Sequence, residues 1–236
     1  MSQENRESGN KSSSRKILFL CGGWEGHQPL ECVALVAPRL ESAGCEATVM
    51  ETLEPLEDLD RLRGYDVIVP AWTMGVLSDK GQQNLVTAVR SGVGLAGWHG
   101  GMGDAFRSAA DYQFMVGGQF VAHPAGLTNF EVTIGDRSHP ISEGIESFTI
   151  HTEQYYMHVD PSNRVLATTT FSGENAPWIA GCRMPVVWTR SFGAGRVFYC
   201  SLGHQVSDLG VPRVGEIIHR GILWAARALR ARKERR

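Results

Sequence analysis

"LAGWHGGMG", residues 95–103, joins a hydrophobic run, Val93-Gly-Leu-Ala96, to glycines gathered around one imidazole, Gly97-Trp98-His99-Gly100-Gly101. A short apolar run reads as a buried strand. Small residues on both sides of one functional side chain suit a sharp strand–turn–helix elbow, where a large neighbour would clash. Enzymes built on such an elbow place Ser or Cys at its tip, and here the tip is His99. The dipole of the following helix favours the neutral imidazole. Neutral imidazole can serve as a general base or a metal ligand, but it replaces a thiolate nucleophile poorly. The bland alternative is that His99 only packs under Trp98.

Outward from the elbow, strands and helices alternate. Lys16–Cys21 reads as a strand buried on both faces. Pro29–Ala43 reads as a helix with Leu30, Val33, Ala34, Ala37 and Leu40 on its apolar side, Pro29 in its first turn and Gly44 at its end. Ala47–Met50 and Tyr65–Pro70 are further strands, and Ser78 caps a helix running to about Arg90. This alternation over residues 16–110 implies parallel strands with right-handed helical crossovers. Ligands of such sheets bind beyond the carboxyl ends of the strands, which places Gly22–His27, Ala71–Gly75 and Trp98–Gly103 at one edge. Beyond residue 125 the pattern changes to β. Thr128–Ile134 alternates as a half-exposed strand does, and strand segments follow at Phe148–Val159, Arg164–Thr170, Pro185–Arg190 and Arg196–Ser201. A final helix is predicted over Val211–Arg230, with Val214, Ile217, Ile218, Ile222, Ala225 and Leu229 as its stripe.

The 236 residues, 42% hydrophobic and 20% charged, suit one α/β domain over 15–231 between a disordered tail at 1–14 and a basic tail at 232–236. A net charge of −2 offers no basic field for nucleic acid or an anionic membrane. No apolar run approaches the roughly 18 residues of a membrane span. Five scattered cysteines, with Cys21 and Cys200 inside apolar runs, favour a reducing cytoplasm. Neither glycine cluster has the GxGxxG or GK[ST] spacing of a phosphate loop, so no nucleotide cofactor is expected. A homo-oligomer is left open.

Other candidate groups surround the elbow. His27 follows the first strand and either caps the next helix or joins the site. His123 and His139 each precede proline, which holds them extended; His123 reads as functional and His139 as structural. His204 repeats the layout of His99, a strand end followed by glycine and imidazole. His158 and His219 read as ordinary. Glu153, in Thr152-Glu-Gln-Tyr-Tyr156, is either half of an exposed pair or a carboxylate in an apolar cleft with a raised pKa, fit for proton transfer. Trp188 and Arg190 suit sugar stacking and hydroxyl bonding, or sheet packing.

Taken in order, Gly26-His27-Gln-Pro29, Trp98-His99-Gly100-Gly101, Gly117-Gly118-Gln-Phe-Val-Ala-His123-Pro124, His139-Pro140-Ile141 with Gly144, Thr152-Glu153-Gln-Tyr155-Tyr156, Pro185-Val-Val-Trp188-Thr-Arg190, Gly193-Ala-Gly195-Arg196-Val197 and Leu202-Gly203-His204 resemble the trehalose-utilisation (ThuA-like) family across residues 16–230. The resemblance implies the class I glutamine amidotransferase-like fold, a flavodoxin-like three-layer sandwich whose elbow lacks the amidotransferase cysteine. It also implies sugar catabolism, with oxidised (3-keto) glycosides or their products as substrates. One departure is Trp98, where relatives often carry a smaller or a second polar residue, and which reshapes the pocket.

Two functional readings follow. The first is an enzyme that isomerises, eliminates or hydrolyses a keto-sugar by proton transfer, with His99, Glu153 and His204 catalytic. In it Trp24, His27, Trp72, Trp98, His123, Trp188 and Arg190 bind a small carbohydrate. A variant adds a divalent metal such as zinc on His99, His123 and His204. The second reading is a non-catalytic sugar-binding or partner-docking protein with a degenerate amidotransferase cleft.

Overall fold

A computed structural model describes residues 14–227. The tails expected at 1–14 and 232–236 therefore lie outside the described residues, Ser14 excepted. β1 (Arg15–Gly23) shows why its sequence is apolar throughout: Ile17, Phe19 and Cys21 enter one core, Leu18 and Leu20 the other, and none is more than 1% exposed. Each such side chain contributes about 1.5–3 kcal/mol relative to exposure. A strand of this kind must lie between two helical layers.

β1 is flanked by β2 (Cys45–Met50) and β3 (Val67–Thr73), both parallel to it. β4 (Gly94–Trp98) follows beside β3, and β11 (Gly195–Cys200) lies parallel to β4. The order β2-β1-β3-β4-β11 is the flavodoxin-like 2-1-3-4-5 arrangement, whose switch point falls between β1 and β3. The sheet then continues antiparallel through β10 (Arg183–Phe192), β9 (Arg164–Thr170), β6 (Leu127–Ile134) and β7 (Phe148–Glu153) to nine strands. β5 (Gly118–Ala122) and β8 (Tyr156–Val159) form a separate antiparallel pair.

α1 (Pro29–Ser42) and α7 (Pro212–Ala225) cover one face of the sheet. α3 (Asp79–Arg90) and α5 (Ala110–Val116) cover the other. The short α2 (Leu59–Arg63), α4 (His99–Gly103) and α6 (Val206–Leu209) complete the fold. Ser78 caps α3 as predicted, its Oγ accepting from the Gly81 amide at 2.8 Å.

Several expectations need correction. The buried face of α1 is Cys32, Val33, Val36, Ala37 and Leu40, while Leu30 and Ala34 face outward. The small thiol of Cys32 takes the inward position because it also donates to the His27 carbonyl at 3.4 Å. α7 keeps the predicted stripe from Val214 to Ala225 but stops there. Ala226 is extended, and the next amide, that of Arg227, donates to the Asp66 carbonyl at the base of the sheet. Leu229 and Arg230 lie outside the described residues. The segment Phe148–Val159 is two strands in different sheets. It breaks at Gln154, whose Nε2 donates to Thr169 Oγ1 at 2.8 Å, and at Tyr155, which is buried.

The described residues contain no helix long and apolar enough to cross a membrane. All five cysteines are free. Burial pushes the Cys21 thiol up to about 11 and the Cys32 and Cys200 thiols up to about 12. At pH 8 these three are therefore protonated and shielded. Iodoacetamide is expected to spare them in the native protein and to label them after denaturation, read by peptide mass spectrometry. Rapid native labelling of Cys200 would contradict the packing described.

Candidate functional site

The carboxyl ends of β1, β3, β4 and β11 converge at one edge of the sheet, and each delivers a polar group. β4 ends in the predicted elbow. His99 adopts φ 45°, a left-handed conformation that costs a non-glycine residue about 1–3 kcal/mol and persists only where its surroundings enforce it. They do. The Tyr199 hydroxyl donates to the His99 carbonyl at 3.0 Å, His99 Nδ1 lies 2.8 Å from the Ser201 carbonyl, and the Tyr155 ring stacks on the imidazole at 4.0 Å. The following glycines are required by close approach. A Cβ on Gly100 would sit 2.4 Å from His27 Cε1, and one on Gly101 would sit 3.0 Å from the Ala71 Cα.

His27 arrives from the end of β1, its Nδ1 2.7 Å from Oγ1 of Thr73 at the end of β3. His204 follows β11 in a loop anchored by Asp208, which accepts from Thr152 Oγ1 at 2.6 Å and from the Gln205 amide at 3.4 Å. The three rings lie 4.7–5.4 Å apart between centroids. Glu153, the last residue of β7, points its carboxylate at them. Its Oε2 is 3.1 Å from His99 Nε2 and 3.3 Å from His204 Nδ1, and its Oε1 is 3.7 Å from His123 Nε2.

The charge states follow from burial and neighbours. Burial, helped by His99 and His204, lowers the His27 pKa to about 3. Burial also lowers that of His99, against the opposite pull of Glu153 and the Ser201 carbonyl. For Glu153, burial alone raises the pKa, and the nitrogens of His204 and His99 more than reverse it, leaving it below the ordinary carboxylate range. The raised pKa expected from an apolar cleft is thus overturned: the cleft is lined by imidazoles on the side that the carboxylate faces.

An electrostatic conflict results. A carbonyl only accepts hydrogen bonds, so His99 Nδ1 carries a ring proton, and Nε2 donates to Glu153 Oε2 at 3.1 Å only in the imidazolium form that burial disfavours; in the neutral ring a lone pair faces that oxygen. His204 Nδ1, buried beside the same oxygen, completes no hydrogen bond. A cation among these atoms, whether a proton or a metal ion, turns the repulsion into attraction. One ligand atom each from His27, His99, His204 and Glu153 lies within 4.8 Å of the others.

The remaining sequence candidates divide. His123 stands at the rim, its side chain 41% exposed and beyond Glu153 from the other imidazoles, so His27 occupies the cluster position expected of it. Trp24 is exposed and meets the His27 ring edge-on at 4.7 Å. Trp72 is partly buried, its ring over the backbone of Gly22 and Gly75. Trp98 is buried against Gly203 and lines, with His27 and His99, a cavity of only about 10 Å³ that admits no sugar.

Trp188 and Arg190 are corrections. Trp188 is fully buried, donates from Nε1 to the Val116 carbonyl at 3.0 Å and packs on Tyr199. Arg190 is held by Asp160 at 3.3 Å, and its guanidinium lies over Phe114. Both are structural. His139 is buried against Trp224 and accepts from the Ile141 amide, in keeping with its structural reading. Tyr155, Thr73 and the Ser201 carbonyl are the site groups that sequence reasoning missed. Tyr155 stood inside the quoted Thr152–Tyr156 motif, whereas nothing local marks Thr73.

A family profile described as trehalose utilisation (ThuA) matches residues 16–225. No curated protein matches the chain. Among solved structures, a ThuA-like protein from Parabacteroides merdae superposes with TM-score 0.75 at 16% identity, covering 94% of each chain. A ThuA-like protein from Bacteroides uniformis gives 0.73 at 15% identity, covering 92% of this chain and 94% of that one. A cytoplasmic protein from Salmonella typhimurium gives 0.63 at 12% identity, covering 90% of this chain and all of that one. At these identities the superpositions establish the fold.

Proposed function

The chain belongs to the trehalose-utilisation (ThuA) family, and on that premise we propose that it is a sugar-catabolism enzyme acting on a 3-keto glycoside or a related keto-sugar by proton transfer. The observation that carries the reading is the Glu153 carboxylate, anionic and buried, ringed by His27, His99 and His204 at the sheet edge where such folds bind ligands. A ketone acidifies the carbon beside it, so removing that proton needs a positioned base and no covalent intermediate. Glu153 divides the work between its oxygens. Oε2 is held by the imidazoles, and Oε1, on the side of half-exposed His123, takes the proton and passes it outward. In β-elimination the C–H electrons form the new C=C bond, the glycosidic C–O bond breaks, and the leaving oxygen picks up a proton. Isomerisation begins with the same step, as does net hydrolysis once water adds back.

The donor set also fits a divalent ion such as zinc. Ser201 and Thr73 engage the far nitrogens of His99 and His27, as partners of metal-bound imidazoles do, and His204 Nδ1 has no other partner. The ligands are then His27, His99, His204 and Glu153. When bound, the ion supplies Lewis acidity toward the sugar carbonyl. The reading takes the cytoplasm as the compartment, supported by five free cysteines and by the Salmonella neighbour described as cytoplasmic.

The test is incubation with glucosides and their 3-keto forms, followed by NMR, together with elemental analysis of protein prepared without chelator. The 3-keto compounds are expected to be consumed and the parent glucosides left intact, with about one divalent ion per chain. Calorimetric binding without any chemical change would replace the enzyme with a sugar-binding protein. Absence of metal would leave proton transfer to Glu153 and His123 alone.

A further inference from the structure

Glu153 and His204 meet at the site, yet neither is held there by its own secondary structure. Glu153 is the last residue of β7, and β7 is the last strand of the nine-stranded sheet, paired on one side only, by β6. A strand end at a free sheet edge is among the first places to open locally. His204 lies in the loop that joins β11 to α6. Catalytic geometry built on such segments needs support from outside the reacting groups.

That support comes from one stretch of chain just after His204. Asp208, in α6, is buried, and its Oδ2 accepts from Thr152 Oγ1 at 2.6 Å and from the Gln205 amide at 3.4 Å. Thr152 immediately precedes Glu153, and Gln205 immediately follows His204. A single carboxylate oxygen therefore ties together the two segments that carry the His204–Glu153 contact, spanning 56 residues of sequence. The bond to Gln205 is that of a helix cap, but a cap does not require a buried acid, and the bond to Thr152 is the shorter of the two. Successive side chains of a strand point to opposite faces, so a grip on Thr152 leaves the Glu153 carboxylate free to face the imidazoles. A second tie runs from Gln28, the residue after His27, whose Oε1 accepts from the Val206 amide at 3.1 Å. Three members of the cluster thus have a chain neighbour fastened to residues 205–208.

We propose that Thr152 and Asp208 are positioning residues, whose hydrogen bond sets the separation of His204 Nδ1 from Glu153 Oε2 and hence the direction in which Oε1 is offered to substrate. Neither touches the reacting atoms. A misplacement of about 1 Å costs on the order of 10²-fold in rate. The inference rests on the proton-transfer reading for the reaction that it affects.

The test uses Thr152→Val, which removes the hydroxyl and keeps the shape, and Thr152→Ser, which restores the hydroxyl. Asp208→Asn keeps one oxygen for both donors, and Asp208→Ala keeps none. Steady-state kinetics on a 3-keto glycoside are combined with nitrogen-15 NMR of the histidine rings, the His204 signals being assigned with His204→Gln. Thr152→Val and Asp208→Ala are each expected to lower kcat by roughly 10- to 100-fold with KM nearly unchanged. Thr152→Ser and Asp208→Asn should stay close to the wild type. The double variant Thr152→Val/Asp208→Ala should be no slower than Asp208→Ala alone, because one bond is lost in both. The His204 ring signals should move in Thr152→Val, while those of His139 and His219, held on the α7 side of the sheet, stay in place. An unchanged kcat in Thr152→Val overturns the proposal. So does a shift of all the histidine signals together with a rise in KM, which marks general loosening of the fold. If the wild type turns over no keto-glycoside, the proton-transfer reading fails, and the NMR comparison decides alone: His204 signals that move in Thr152→Val and return in Thr152→Ser sustain the positioning role, and signals that stay put refute it.

Discussion

Glu153→Gln is expected to lower turnover of a 3-keto glycoside by about 10³-fold, within the range by which a positioned general base accelerates proton transfer, and to lower Tm at neutral pH, because a carboxylate whose pKa is depressed by His204 and His99 stabilises the fold above the ordinary carboxylate range. The two effects have one cause. In the native site Glu153 Oε2 lies 3.1 Å from His99 Nε2 and 3.3 Å from His204 Nδ1, and these imidazoles hold the carboxylate in its anionic form. Glutamine has the same shape but carries no charge for them to stabilise. The pairing is removed together with the base. Loss of the carboxylate also removes one of the four groups proposed to hold a divalent ion, so any bound metal is expected to fall in parallel. Initial rates, thermal melting and elemental analysis on one preparation check all three. Activity within tenfold of the wild type would remove Glu153 from the chemistry.

Trp188→Ala is expected to destabilise the fold by about 3–5 kcal/mol, the usual range for removing a large buried aromatic. At roughly 2–4 °C per kcal/mol for a chain of this size, Tm falls by about 6–20 °C. The indole is fully buried, fills space against Tyr199 and Gly118, and donates to the Val116 carbonyl, which the substitution leaves without that partner. The molecules that remain folded should keep their KM, because the ring packs on Tyr199, Gly118 and Val116 and not on Glu153 or the imidazoles. Denaturant titration and steady-state kinetics separate this outcome from that of a sugar platform, for which KM rises and stability barely changes.

The contrast between these two residues shows where sequence reasoning works. A tryptophan beside an arginine in a strand is compatible with sugar binding or with packing. The choice depends on which face of β10 the ring occupies and on α5 and β11 covering it, contacts supplied by segments remote in the chain. Glu153 is legible as a candidate, but its surroundings are not. An acid followed by two tyrosines suggests an apolar cleft, and no window around residue 153 contains the imidazoles that reverse its pKa shift. The exchange of His123 for His27 in the cluster has the same origin. Both are strand-end histidines, and only the placement of β1 next to β3, with Thr73 ready to fix the ring, brings His27 to the centre.

What the sequence determined by itself is local and periodic. A run apolar at every position requires two covered faces, as β1 has. Alternation requires one covered face, which β6 shows. A serine ahead of a helical stripe caps it, as Ser78 does, and Gly97 leaves room for Met102 five residues on, whose Cβ would lie 2.7 Å from a side chain there. Each of these acts within a few residues, so a short window contains the whole cause. Only the tertiary structure decided which side chains meet. β11 is the last strand in sequence and lies against β4 in the middle of the sheet, so the Ser201 carbonyl reaches His99 across 102 residues of chain. The charge of a buried group is fixed by whatever lies within a few ångströms of it in space, and chain folding alone sets that distance.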